Sequence, residues 1–357
     1  MKTWVAIVIA DEKLREAVAT LLRVNDSAQV IGIFSNAEDA TAELEKRGNV
    51  VVVLGFSENH KSTMRQLKLI QLHGPYTVLG VGNASETSSS MFDAFRLGML
   101  DFISLSSEEI ENPSDYILKE FTQSIETISN ADITRLKRVK LTRYEKPSWE
   151  SCKEKPTYFM TMGVPRVGIS SAIKLATTLP RRNDTALFLS LPLPQETMEK
   201  FLLNFDKFTQ WSIKRAVEGE SIIGGVCYAM SMMDYFGIEG DVKGGGKIVS
   251  VPNVSGSINL IMEGMAKTFG SSVFGILLEG IGNDGIIGLK AIKDRGGTTI
   301  AVSEGGGVLP LVGKNAVKEG VVDLMADIDS LASILEYMMR NIYDMINLNG
   351  ITNFASH

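Results

Sequence analysis

Two hydrophobic periods alternate along the first third of the chain. The runs WVAIVI and VVVVLGF are unbroken apolar stretches of strand length, and AQVIGIF and YTVLGVG are apolar but for Gln29 and Thr77. Between them LREAVATLLRV, NAEDATAELEKRG, SENHKSTMRQLKLIQLHG and SSSMFDAFRLGM place apolar residues three or four apart, the spacing of a helix face. A short strand at DFISL and a helix at DYILKEFTQSIETIS complete five strands alternating with five helices. Strands apolar at every position belong to parallel sheets covered on both faces. The pattern therefore predicts an α/β, flavodoxin-like doubly wound sheet with any site at the carboxyl ends of its strands.

From Thr157 the alternation restarts. TYFMTM, TALFLSL, SVFGILLEG, TTIAVSE and VVDLMA read as strands. ISSAIKLATTL, TMEKFLLNF, SINLIMEGMAKTF, IIGLKAIKDR, LPLVGKNAVKEG and SLASILEYMMRNIYDMI read as helical, while AVEGESIIGGVCYAM and KIVSVPN read as extended segments around a turn-rich center. This is a second doubly wound α/β domain with a mostly parallel sheet. Between the two, residues 131–156 lose the periodicity and close with Pro147 and Pro156. The expected organization is a first domain over 1–130, a linker over 131–156, a second domain over 157–345 and a tail over 346–357.

Charge sharpens that boundary. Residues 1–130 hold 11 Lys and Arg against 18 Asp and Glu, and residues 131–156 hold 8 against 4, so a basic linker follows an acidic domain. The linker is expected to be solvated, with docking on the acidic domain as the alternative. The net charge of −6 argues against a nucleic-acid partner. No apolar run reaches the ~18 residues of a membrane span, and the start MKTWVAIVIADEK turns acidic too soon for a signal peptide. Cys152 and Cys227 are too few for a disulfide framework and lack metal-site spacing. A cytoplasmic protein without membrane insertion or cofactor is expected.

Chemistry concentrates in LLEGIGNDGIIG, residues 277–288, where four glycines frame Asn283-Asp284 at the end of a buried strand. An aspartate so placed suits the orienting of a catalytic histidine, yet the only histidines are His60, His73 and His357. Elsewhere, Gly163-Val164-Pro165-Arg166-Val167-Gly168 is a Gly-x4-Gly loop between a strand and a helix. Such a loop can cradle an anion on Gly163, Arg166 and Gly168 through backbone N–H groups, helix dipole and guanidinium. Ile169 stands where the nucleotide-binding version needs lysine.

The first domain, with Asp11-Glu12 after strand one and LGMLDFISL near its end, resembles the receiver domain of response regulators over about 1–128. That resemblance implies Mg²⁺ ligands at the first turn, where Asp11 and Glu12 are weak candidates; as plain residues they read as a helix cap and a first-turn acid. It puts the phosphoryl-accepting position at Gly55, the hydroxyl position at Gly82 or Asn83, and the lysine position at Leu105-Ser106. Gly55 cannot accept a phosphoryl group, so no acceptor is expected.

Residues 276–304, ILLEGIGNDGIIGLKAIKDRGGTTIAVSE, resemble the catalytic-aspartate region of the chemotaxis protein-glutamate methylesterases, the CheB family, and the likeness extends over about 157–340. The resemblance implies a serine hydrolase acting on receptor methyl esters, with Asp284 at the triad aspartate, Pro165 at the serine and Pro192, in LPLP, at the histidine. Proline has neither a nucleophilic nor a proton-shuttling side chain, nor a backbone N–H. A catalytically inactive relative is therefore expected, acting as a binding or regulatory module with a chemoreceptor or another signaling protein as partner. Asp284 would then accept backbone N–H bonds or cap the following helix. One alternative is an active methylesterase or glutaminase with a relocated nucleophile among Ser170, Ser171 and Ser190, or a Ser-Lys pair using Lys174. The other is an anion or nucleotide sensor built on the 163–168 loop.

Overall fold

A computed structural model describes residues 2–354 other than 26, 137–138, 242–244 and 304. The first half runs β1 (Thr3–Val8), α1 (Glu12–Arg23), β2 (Ala28–Phe34), α2 (Ala37–Leu44), β3 (Val50–Gly55), α3 (His60–His73), β4 (Thr77–Gly82), α4 (Ala84–Arg96), β5 (Met99–Ser104), α5 (Ser107–Glu111) and α6 (Asp115–Ser129). Its five strands pair in parallel in the order β2-β1-β3-β4-β5, the flavodoxin-like order. Short polar residues start the helices. Asp11, Asn36, Asn59 and Asn83 each accept a backbone N–H in the first turn of α1 to α4. The expected five helices are six, because Ser106 and Glu109 form a capping box that nucleates the extra turn α5.

The second half runs β6 (Tyr158–Gly163), α7 (Ile169–Thr178), β7 (Thr185–Leu191), α8 (Gln195–Asp206), β8 (Ser212–Arg215), β9 (Val226–Ser231), β10 (Phe236–Gly240), β11 (Gly246–Ser250), α9 (Ser257–Phe269), β12 (Val273–Leu277), α10 (Ile286–Asp294), β13 (Thr298–Val302), α11 (Leu311–Lys318), β14 (Leu324–Ala326) and α12 (Ile328–Phe354). Seven of these strands form one wholly parallel sheet, β14-β13-β12-β6-β7-β9-β8, and β10 and β11 pair apart from it, antiparallel. Three elements differ from expectation, the first being β10, a strand inside the stretch read as a turn-rich center. The edge strand β8 is too short and polar, as SIKR, to announce itself. α12 continues to Phe354, so most of the segment expected as a tail is helical.

The segment joining the halves does not lie free: its start, Ala131, Ile133 and Leu136, packs on the apolar core of the acidic half, and its later part lies on the C-terminal half. Lys146 bonds the carbonyls of Asp206, Thr209 and Trp211 and pairs with Asp206 at 2.8 Å. Ser212 donates to the Pro147 carbonyl at 2.7 Å, and the Lys214 ammonium sits 4.1 Å over the Trp149 ring. The linker's basic and aromatic residues thus seal the β8 edge, which an unpaired strand needs.

One apolar core runs through both halves. Phe92 of α4 meets Phe201 and Phe205 of α8 and Phe208 beyond it, each at ring-center distances of 5.6–5.7 Å. Polar contacts join the same boundary: Ser170 donates to the Phe95 carbonyl at 2.7 Å, and the Asp132 amide donates to the Val308 carbonyl at 2.8 Å.

Candidate functional site

The connectivity of the seven-stranded sheet reverses at β6, which has β7 on one side and β12 on the other. Loops leaving neighboring parallel strands in opposite directions open a crevice at their carboxyl ends, the usual site of chemistry in such sheets. Three segments meet there: 163–168 after β6, 191–194 after β7, and 278–285 after β12.

Asp284 lies half-buried on the third segment. Its carboxylate accepts the backbone N–H of Ile258 at 3.2 Å and of Asn259 at 2.9 Å, the first turn of α9. That helix opens on Gly256, which has no side chain to cap it. Gly256 holds φ at +96°, and a Cβ there would sit 2.5 Å from the Asp284 carboxyl carbon, so glycine is required for the carboxylate to reach the helix end. The helix after Asp284 is capped by another residue. Asn259 accepts the N–H groups of Gly285 and Gly288, both at 2.8 Å, at the start of α10. The expected cap on the following helix is therefore corrected: Asp284 caps α9, and α9 returns a cap to α10. Burial pushes the Asp284 carboxyl above the usual aspartate range, and N–H bonds from Asn259, Ile258 and Gly285 pull it part of the way back. Asp284→Ala should lower the unfolding free energy by about 1–2 kcal/mol, the worth of a helix cap. Asp284→Asn, which keeps an acceptor oxygen without a buried charge, should stay closer to the parent. Urea denaturation of the three proteins checks this, and equal midpoints would refute the capping role.

The first segment is turned toward the N-terminal half. Pro165 is buried against Gly280, where an added Cβ would lie 2.5 Å from the Pro165 Cβ. Arg166 extends its guanidinium to Asp101 at 3.0 Å, Glu120 at 3.3 Å and the Ser124 hydroxyl at 2.8 Å, on β5 and α6. Burial works against its charge, but the Asp101 and Glu120 carboxylates outweigh burial and raise its pKa. Glu120 is itself pushed up, by burial first and by Asp101. Val167 holds φ at +81°, an outlier for a β-branched residue that costs about 1–3 kcal/mol. Its side chain is buried in the apolar cluster that holds the core of the N-terminal half, which offsets that strain.

The groups expected to cradle an anion are engaged within the protein. The Arg166 fork is already shared between two carboxylates. The Gly168 N–H donates to the Pro165 carbonyl at 3.0 Å, and Gly163 is buried, its carbonyl bonded to the Leu278 N–H.

The other serines and lysine are equally occupied. Ser170 holds the Phe95 carbonyl across the boundary, and Ser171 donates to the carboxyl of Glu279. Ser190 is buried on β7, and its hydroxyl has no hydrogen-bond partner among the described residues, hence no base. Lys174 pairs with Asp329 of α12. His60 meets the Ser90 hydroxyl at 2.9 Å, and His73 meets Glu45 at 2.8 Å, all within the N-terminal half; His357 lies outside the described residues. Pro192 is partly buried on the second segment.

Glu279 escaped the sequence reading. It is 2% exposed at the end of β12, accepting from Ser171 and from the Leu309 N–H at 3.2 Å. Burial raises its pKa above the ordinary 4.5, against the bonds from Ser171, Leu309 and Val308. A raised folded-state pKa contributes stability below the unfolded value that is lost as pH climbs through the folded value. The unfolding free energy should thus fall as pH rises from the ordinary glutamate range toward neutrality, and Glu279→Gln should flatten that fall. Denaturation curves at stepped pH test this; an unchanged slope in the variant would refute it.

In the N-terminal half, Asp11 caps α1 by accepting the Leu14 N–H at 2.8 Å, and Glu12 sits in the first turn. Among the described residues no group of three or more potential metal ligands occurs. Gly55 is covered by Ile9, whose Cγ2 would lie 2.7 Å from an added Cβ, and Leu105 is fully buried.

Residues 160–335 match the family model for CheB methylesterase. A protein-glutamate methylesterase/protein-glutamine glutaminase of Lawsonia intracellularis is 25% identical over 358 aligned positions, covering 91% of this chain and 97% of its own. A protein of the same description from Clostridium acetobutylicum is 24% identical, covering 95% and 99%. The chain belongs to the CheB methylesterase family. Among solved structures, the CheB methylesterase catalytic domain of Thermotoga maritima matches 52% of this chain and 99% of its own, at 19% identity and a TM-score of 0.47. In this CheB-family chain the segments after β6, β7 and β12 carry Pro165, Pro192 and Asp284, and the first segment is covered by the N-terminal half.

Proposed function

We propose that this protein is a catalytically silent member of the CheB family, acting as a binding and regulatory module in chemotaxis-like signaling. Residues 1–130 would be a receiver-like domain without phosphoryl switching, 131–156 a linker, and 157–345 the methylesterase-like domain. The observation that carries this is the state of the crevice. The segment after β6 offers no nucleophile, and its Arg166 is bound into Asp101 and Glu120. A serine hydrolase needs its nucleophile, its base and the base's orienting carboxylate in mutual reach. Here two of those positions are prolines, and the third carboxylate holds the end of α9.

A relocated nucleophile finds little support. Ser171 beside Glu279 is the nearest approach to a hydroxyl with a base, but both are buried, at 7% and 2% exposure. The space beside them is about 10 Å³, too small for a methyl ester on a protein side chain. Family descent and a surface without a working triad together favor recognition of the family's signaling partners, a chemoreceptor first among them. The test is binding and turnover measured side by side. The full chain should bind receptor signaling fragments while releasing no methanol from their methylated forms. Turnover would remove the inactive reading, and the absence of any binding would remove the module reading.

A further inference from the structure

The N-terminal half carries a feature that the crevice does not use. Helix α3, HKSTMRQLKLIQLH, contains no acidic residue, although the first 130 residues hold 18 acidic side chains against 11 basic ones. Its cations Lys61, Arg65 and Lys68 fall at i, i+4 and i+7, one stripe along two turns. The stripe borders a groove of about 450 Å³ between α3 and α4. Met64, Leu69 and Leu97 give the groove an apolar floor, and Leu72 stands 75% exposed at its end. Arg96 of α4 adds a fourth cation, bonded to Asp93 at 2.6 Å. Lys61 and Lys68 make no ion pair among the described residues, and Arg65 meets only Glu38 on the open surface, at 2.8 Å.

An exposed cation row over an apolar floor has two parts to satisfy. Like charges spaced along one stripe repel each other, and a large exposed leucine beside them adds unburied apolar area. A partner carrying carboxylates and leucines relieves both. The cations at 61, 65 and 68 span roughly 10 Å of helix axis, the distance over which a second helix presents carboxylates at i, i+3 or i+4, and i+7. The floor distinguishes such a partner from a phosphate polymer, which has no apolar side chains to place there.

We infer that the α3–α4 groove is a docking site for an acidic, leucine-bearing helix of a partner protein. The groove stays open while the two halves are joined, since the aromatic cluster on α8 is met by Phe92 and the groove is lined from the α3 side. The site stands apart from the crevice, and its occupancy does not depend on whether the crevice turns over an ester.

The full chain should be titrated into a fluorescein-labelled amphipathic peptide with leucine at every third or fourth position and glutamate between, read by anisotropy. Saturable binding is expected, weakened about ten-fold by Lys61→Glu with Lys68→Glu, since each reversal replaces attraction by repulsion. Leu72→Ser should weaken it by about three-fold or more through the lost apolar contact. Lys290→Glu, on α10 in the other half, should leave it unchanged. Circular dichroism and thermal midpoints establish that each variant is folded. Binding indifferent to the Lys61 and Lys68 reversals would overturn the inference. So would a single-stranded oligonucleotide or anionic vesicles displacing the peptide at equal charge through the same lysines, because the groove would then be a general polyanion site. Sedimentation showing the chain filling the groove with a second copy of itself would overturn it as well.

Discussion

Arg166→Ala should destabilize the protein by about 2–3 kcal/mol, and it should do so at the boundary between the two halves. Removing one partner of a buried ion pair leaves the other charge desolvated and uncompensated, typically at about 3–5 kcal/mol. The lower figure applies because Arg166 and Glu120 keep about a quarter of their side-chain surface, at 24% and 23%, and solvent screens them in part. Asp101, at 9%, is the group left most exposed to the loss. The strained Val167 follows Arg166 directly and would lose the anchor that holds it at φ +81°. A single cooperative denaturation transition in the parent should therefore broaden or split in the variant. Arg166→Lys keeps the charge but not the fork that spans Asp101, Glu120 and Ser124, so it should fall between the two. An Arg166→Ala protein with the parent's midpoint and a single transition would show that Arg166 does not hold the halves together.

Much of this architecture was legible in the sequence, for identifiable reasons. Both parallel sheets were visible because strands such as VVVVLGF and TALFLSL are buried on both faces and carry no polar alternation. Elements held by partners rather than by their own pattern were not visible. β8 exists because β9 pairs with it and the linker covers it. α5 exists because of two capping bonds.

The site divides in the same way. That 165 and 192 are prolines is a matter of composition, and their chemical poverty follows without a structure. The fate of Asp284 did not follow. An acid before a helix reads as the cap of that helix, and only the packing of α9 against α10 reveals that the caps are exchanged. Arg166 read as an anion ligand because a guanidinium near a helix N-terminus normally faces solvent. Asp101 and Glu120, the anions it meets, lie 65 and 46 residues away in the chain. Glu279 carried no signal at all, since a glutamate after an apolar strand normally marks the strand's exit into water.

The largest expected effect is on catalysis. Loss of the nucleophile from a serine triad costs on the order of 10⁶ in rate, and loss of the base adds little because the members act as a unit. Pro165→Ser alone should therefore recover nothing, having no base. Pro165→Ser with Pro192→His restores both residue types, but the new serine would lie in a buried loop anchored by Arg166 to the other half. That double variant should remain inactive toward receptor. Adding Arg166→Ala, which frees that loop, is the step expected to admit an activated ester.

The central claim is most directly tested on the unaltered protein. The purified full chain, incubated with receptor fragments methylated at their glutamates, should release methanol at the rate of the buffer blank, with an active CheB-family enzyme run beside it as the positive control. Methanol release well above the blank, retained through purification to homogeneity and lost with Ser171→Ala or Ser190→Ala, would contradict the account.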